Sequence, residues 1–239
     1  MRYLKVIFKK LKYSIERVNM KLKYLGHSAF EITTGEYKIL IDPFLVKAPD
    51  YDCSGVTDIF VTHGHADHLG KAPQIAMKTG AVITAIFELA KHCSRYGVDV
   101  NGISLGGWIE YPWGRVIAVP AFHSSSSDDG VYTGSPVGFI FDIEGKKIYH
   151  AGDTSLNSEM KVIGEIYHPE YSLLPVGGHF TMDIPHACIG AQWLNTKNVI
   201  PMHYNTFPQI ETNIDGFKLG IEKLGMNPVV MKIEESIEI

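Results

Sequence analysis

The sequence predicts an α/β protein in which two β-sheets pack face to face with helices on their outer sides. Three observations carry this. Short runs rich in β-branched and aromatic residues open both halves of the chain, each half continues into stretches of helical periodicity, and no low-complexity linker divides them. With 239 residues, 45% hydrophobic and 20% charged, there is enough apolar material for one large domain, and the balance excludes disorder and collagen-like repeats.

Along the chain, KLKYL (21–25), AFEIT (29–33) and YKILID (37–42) are separated by the turn residues Gly26 and Thr34-Gly35, which predicts consecutive antiparallel strands. DIFVT (58–62) and AVIT (81–84) are further strands, each followed by a helix, at 71–79 and 87–96. In the second half WIEY (108–111), RVIAVP (115–120), VGFIFDI (137–143) and KKIYHAG (146–152) are strands. Helices at 157–165, 184–195 and 214–224 then alternate with the strands YSLLPV (171–176), NVIPM (198–202) and PVVMKI (228–233). The run SSSSDD (124–129) is expected to be a mobile, solvated loop or a lip over a pocket.

The net charge of −4 conceals two unlike segments: the first 19 residues carry +5, and the remainder −9. An acidic body argues against nucleic acid as a partner and for a small-molecule substrate. Residues 1–19 place Leu4, Ile7, Leu11, Ile15 and Val18 at helical spacing among lysines, which predicts a basic amphipathic extension ahead of a domain spanning 20–239. Such a helix suits a membrane surface or a partner. Its plainer readings are a helix packed on its own domain, or a start placed too early. The lysines also break any signal-peptide core. Cys53, Cys93 and Cys188 are odd in number and without a C-x-x-C pair, so no disulfide framework is expected, and a reducing, cytoplasmic setting fits. No apolar run is long enough to cross a bilayer. Oligomeric state is left open.

Chemistry concentrates where DIFVT ends. His63, His65, Asp67 and His68 stand within six residues, a pattern that this composition produces by chance only about once in a thousand such sequences. In an extended segment His63 and His65 point the same way, while Asp67 and His68, at the following turn, face a second point. Neutral imidazoles with a carboxylate suit zinc, with manganese or iron as alternatives. Two cations need more ligands than four. His123, Asp153 and His203 each follow a strand and complete two sites.

With these stretches in view, the sequence resembles the metallo-β-lactamase superfamily, and within it a family of uncharacterised metal-dependent hydrolases. The resemblance rests on GHSAF, ILIDPF, VTHGHADHLG, the AFHSS turn, YHAGDT, the FTM turn and VIPMHYNTFP, and it covers about 220 residues from Met20 onward. It implies a four-layer αββα sandwich with metals at one edge. It also implies that His63, His65 and His123 hold one metal, that Asp67, His68 and His203 hold the other, and that Asp153 bridges them. Asp42 would orient a ligand imidazole or simply form a turn before Pro43. His65 stands where redox di-iron relatives carry an acid, which favours hydrolysis.

The expected activity is that of a dinuclear metal hydrolase, in which a metal-bridging hydroxide attacks a small ester, lactone or phosphodiester. Asp67 would orient the nucleophile and accept a proton. His27 would donate to substrate or serve as a turn histidine. His179 is a candidate substrate contact, Tyr204 either points inward or packs, and His150 is a candidate neighbour of Asp153. His92, His168 and His186 are ordinary helix or loop residues. Gly177-Gly178 lacks a P-loop lysine, and no G-x-S-x-G elbow exists. Two other classes compete: a lipid phosphodiesterase at a membrane surface, reached through residues 1–19, and a non-catalytic metal-binding protein.

Overall fold

The computed structural model describes residues 19–239, so the basic segment up to residue 18 lies outside the described residues. The first half runs β1 (Lys21–Gly26), β2 (Ala29–Thr34), β3 (Tyr37–Ile41), β4 (Asp58–Val61), α1 (Ala66–Leu69), α2 (Ala72–Thr79), β5 (Val82–Ile86), α3 (Phe87–Ser94) and β6 (Val100–Ile103). The second runs β7 (Trp108–Tyr111), β8 (Gly114–Pro120), β9 (Val137–Ile143), β10 (Lys146–His150), α4 (Glu159–Tyr167), β11 (Tyr171–Pro175), α5 (Ile184–Leu194), β12 (Asn198–Met202), α6 (Ile214–Lys223), β13 (Asn227–Pro228) and β14 (Ser236–Glu238).

These strands form two seven-stranded sheets, ordered β14-β1-β2-β3-β4-β5-β6 and β13-β12-β11-β10-β9-β8-β7. In the first, β14 to β3 pair antiparallel and β3 to β6 parallel. The second mirrors this, antiparallel from β7 to β10 and parallel from β10 to β13. A parallel strand covered on both faces reads as a continuous apolar run rather than an alternating one. Accordingly β4 and β12 are buried at every position. Helices α2 and α3 pack on the first sheet, and α5 and α6 pack on the second, giving the αββα layers.

The sheets meet through aromatic side chains. Phe60 on β4 packs edge-to-face against Phe139 and Phe141 on β9, at centroid separations of 5.5 and 5.0 Å. Phe139 and Phe141 share one strand face because side chains alternate with period two. Helix starts follow their capping chemistry: Asp183 accepts the His186 N–H at 2.9 Å to open α5, and Asn213 accepts the Asp215 N–H at 3.2 Å to open α6.

Two expectations need correction. PVVMKI is not a strand along its length: only Asn227–Pro228 pairs with β12, after which the chain crosses to the first sheet, where β14 pairs with β1. A segment leaving one sheet for the other cannot keep a ladder with either. VNGI (β6) was not anticipated as a strand, because its Asn-Gly pair carries turn chemistry; pairing with β5 overrides that preference. Among the described residues, no helix is long and apolar enough to cross a membrane. Cys53, Cys93 and Cys188 are unpaired.

One glycine holds two site loops together. Gly70 ends α1 at φ 47°, and a Cβ there would overlap the Pro43 carbonyl, whose oxygen accepts the Lys71 N–H at 3.1 Å. Gly70→Ala is expected to cost about 2 kcal/mol, lowering Tm by roughly 4–8 °C in calorimetry. An unchanged Tm would show that the loops tolerate separation.

Candidate metal centre

Strand ends and turns from both sheets converge on one edge. His27 lies in the β1–β2 turn, Asp42 follows β3, His63 to His68 follow β4, His123 follows β8, Asp153 follows β10 and His203 follows β12. His27, Asp42, His63, His68, Asp153 and His203 are buried, whereas His65, Asp67 and His123 are partly exposed. The cluster therefore has an enclosed inner side and an open outer face.

Three groups of donor atoms gather there, each with its atoms within 4.8 Å of one another: His63, His65 and His123; His27, Asp67, His68 and His203; and His63, His68 and Asp153. Asp153 is central to the distances. Its Oδ1 is 3.1 Å from His68 Nε2, and its Oδ2 is 3.1 Å from His203 Nε2 and 3.5 Å from His123 Nε2. His68 Nε2, Asp153 Oδ1 and His203 Nδ1 are buried with no hydrogen-bond partner. Buried polar atoms are ordinarily paired, so His68 Nε2 and Asp153 Oδ1, unpaired and facing each other, fit a shared cation, whereas His203 turns its Nε2 and not its Nδ1 to the cluster. The donor set of imidazoles plus carboxylates suits a divalent transition metal.

Neighbouring groups decide which ring nitrogen faces inward. The Asp42 carboxylate can only accept, so at 2.7 Å it takes the His68 Nδ1 proton and leaves Nε2 free. Thr62 donates its hydroxyl to Asp42 Oδ2 at 2.7 Å, so its oxygen accepts from His63 Nδ1 at 3.1 Å, leaving Nε2 unprotonated and 2.9 Å from His65 Nδ1. The Thr62 N–H reaches Asp42 Oδ1 at 2.8 Å. His27 is turned the other way. Asp67 Oδ2 accepts from its Nε2 at 3.2 Å, and its Nδ1 accepts from Thr206 Oγ1 at 3.0 Å, so its proton points at the cluster. Phe44 and Phe207 pack edge-on against His27 at 5.5 Å.

His27, Asp42 and His203 all sit in the left-handed backbone region, at φ 55°, 44° and 54°. Such conformations are uncommon for residues other than glycine and persist where surrounding bonds enforce them. Here the His203 N–H donates to the His27 carbonyl at 2.8 Å and the Asp42 N–H to the Phe60 carbonyl at 2.9 Å.

Charge is distributed unevenly. Burial opposes the charged form of His203, but Asp153 and Asp67 outweigh it and raise the imidazole to about 9. His68 is likewise held well above the usual range, as Asp153 and Asp42 overcome its burial. Burial and the neighbouring His68 push His63 well below that range. Burial lowers His27 to about 4 despite its bond to Asp67. Asp67 and Asp153 stay below the ordinary carboxylate range although burial works against it, because imidazoles surround them.

The structure thus brings the seven predicted ligands together, with His27, the other predicted site residue, beside Asp67. Asp42 lies behind His68, as an orienting group would. Thr62, Thr206, Ser125 and Thr133 were not anticipated. The serine run is solvated only in part: Ser127, Asp128 and Asp129 line a cavity beside Gly64, but Ser125 and Ser127 are buried, Ser125 Oγ accepts the Gly64 N–H at 3.1 Å, and it pairs with Thr133 Oγ1 at 2.7 Å. Ser124, Asp128 and Asp129 are exposed and Ser126 is half-buried. His179 lies apart, packed against Phe180, and Tyr204 lines a cavity of about 360 Å³ next to His27, with Lys47 and Lys232. His92 lines a different cavity, His168 ends α4 in a left-handed turn and His186 pairs with Asp183. His150 is fully buried three residues before Asp153.

An αββα sandwich with histidines and aspartates gathered at one edge places this protein among the metal-dependent hydrolases of the β-lactamase superfamily, whose domain model matches residues 21–203. Within that class the chain belongs to the UPF0173 metal-dependent hydrolase family. It is 43% identical over 228 residues to the member from Anoxybacillus flavithermus, covering 92% of this chain and all of that one. To the member from Methanopyrus kandleri it is 42% identical, covering 90% and 97% of the two chains. Among solved structures it is similar to Igni18, described as a novel metallo hydrolase from Ignicoccus hospitalis, with a TM-score of 0.84 at 36% identity and coverage of 92% and 98%.

Two of the shifted histidines, His203 and His27, predict an optimum for the metal-free protein. His203, raised to about 9, contributes stability that is complete below the unfolded value near 6.5 and is lost as pH rises toward 9. His27, lowered to about 4, destabilises the fold as pH falls from about 6.5 toward 4. Thermal melts of chelator-treated protein should peak near neutral pH. A Tm that rises steadily from pH 6.5 to 9 would contradict this balance.

Proposed function

We propose that the protein is a dinuclear metal hydrolase acting on a small-molecule ester, lactone or phosphodiester. His63, His65 and His123 would hold one cation, Asp67, His68 and His203 the other, and Asp153 both. The observation that carries this reading is the placement of Asp153 within 4.0 Å of four imidazoles drawn from both sheets. A single structural cation would not need so many donors, and four-coordinate structural sites are closed. Zinc suits the donor set best. When bound, the two cations supply Lewis-acid activation of water and of the electrophilic oxygen.

The protein's own groups divide the remaining work. The outer face formed by His65, Asp67 and His123 is where substrate approaches, since the inner side is enclosed. Asp67 is the carboxylate there with access to solvent, at 27% side-chain exposure, and its second oxygen is fixed by His27. Asp67 would orient the nucleophile and accept its proton there, its own orientation set by His27. His27 gives its one N–H to Asp67 and so orients that carboxylate without carrying positive charge at neutral pH. The net −9 of residues 20–239 favours a small substrate over a polyanion.

The test is metal analysis of the purified protein, followed by assay on ester, lactone, thioester and bis-nitrophenyl phosphate substrates. His65→Ala and Asp153→Ala should each lose metal and at least about 10³-fold in turnover, and chelation followed by metal return should abolish and restore activity. Turnover surviving either substitution, or a stoichiometry of one metal per chain, would overturn the dinuclear reading.

A further inference from the structure

We infer that His150 is a positioning residue that sets the distance between Asp153 and the His27 turn by joining the two sheets behind the metal centre. This rests on Asp153 being a ligand. His150 ends β10 and is fully buried. Its Nε2 donates to the Ser28 carbonyl, in the β1–β2 turn of the opposite sheet, at 2.9 Å. Its Nδ1 accepts the Gly152 N–H at 3.2 Å, one residue before Asp153. One neutral imidazole therefore satisfies a donor and an acceptor on two different turns, and burial keeps it neutral.

Both turns are otherwise rigid, so the ring's length is transmitted to the site. Gly152 sits at φ 61°, and a Cβ there would meet the Val137 carbonyl oxygen at 2.7 Å and Thr62 Cβ at 3.0 Å. The backbone before Asp153 is thus wedged against the residue that orients His63. On the other side, the His27 carbonyl next to Ser28 accepts the His203 N–H at 2.8 Å. Phe30 packs edge-on against the imidazole at 5.9 Å and fixes its plane. Displacing the ring would move Asp153, His27 and His203 relative to one another without removing any ligand side chain. A buried histidine whose only task was to fill space would not need both of its nitrogens committed to turns that carry donor atoms.

His150→Phe keeps a ring and removes both bonds. His150→Asn leaves an amide near Gly152 that is too short to reach Ser28. Zinc affinity is measured by chelator competition on the full chain below its melting temperature, with the visible d–d spectrum of the cobalt-loaded protein as a second readout. Either variant should bind zinc about 10- to 100-fold more weakly, with an altered cobalt spectrum. A folded variant with wild-type zinc affinity and cobalt spectrum, however far its Tm has fallen, would reduce His150 to a structural staple. Imidazole ¹⁵N spectra of the wild-type chain need no variant. They should show His150 as the Nε2–H tautomer, its resonances moving on zinc addition, and the other tautomer or an unmoved resonance would overturn the inference. Failure of the wild-type chain to bind zinc or cobalt at all would instead sink the metal reading beneath it.

Discussion

The metal edge depends on one buried carboxylate. Asp42 has no exposure to solvent, and its two oxygens take the Thr62 N–H, the Thr62 hydroxyl and His68 Nδ1, at 2.7 to 2.8 Å. A buried carboxylate without such partners would cost several kcal/mol. Its bonds therefore have to be complete, and completing them fixes three things at once: the end of β4, the tautomer of His68 and, through Thr62, that of His63. The first sheet thereby presents two imidazole Nε2 atoms in set directions before any cation arrives. Removing one partner from such a buried group typically costs about 3–5 kcal/mol, so the arrangement resists drift.

Strain lies in the same place. Left-handed backbone at His27, Asp42 and His203 is unfavourable by about 1–3 kcal/mol per residue, and each of the three is held by a backbone hydrogen bond or by buried side-chain partners. The rest of the fold absorbs this through the Phe60, Phe139 and Phe141 contact between the sheets and through parallel strands buried at every position. Cohesion comes from the strand centres and geometry from the strand ends, so the same ladder of β-strands supplies both without conflict.

This division explains what could be seen in the sequence. Strand and helix periodicities are local, and nearly every predicted element stands where its pattern placed it. The His63 to His68 spacing is local too, so half of the cluster was legible as one motif. His123, Asp153 and His203 were legible only because each ends a strand. Thr206 and Thr133 carried no local signal: one reaches His27 across 179 positions, and the other matters because it faces Ser125 and crowds Gly64. The buried part of the serine run was missed for the same reason. Its composition suits a solvated loop, yet Ser125 answers a buried N–H at Gly64, 61 residues away. PVVMKI failed as a strand because the need to cross between sheets outweighs its propensity.

The proposed ligands also couple metal to folding. The first sheet contributes His63, His65, Asp67 and His68, and the second contributes His123, Asp153 and His203. Cations held by this set would tie together two sheets that otherwise meet through apolar packing, and the unfolded chain offers no comparable constellation. A ligand that binds only the native state stabilises it by RT ln(1 + [L]/Kd), about 4 kcal/mol at a thousandfold excess over Kd. That is a large share of the net stability of an ordinary domain. In the metal-free chain the closely spaced carboxylates hold protons on His68 and His203, whose imidazoles they raise above the usual range. With cations bound, those protons would be displaced and the opposing charges neutralised by the groups the site is built to hold.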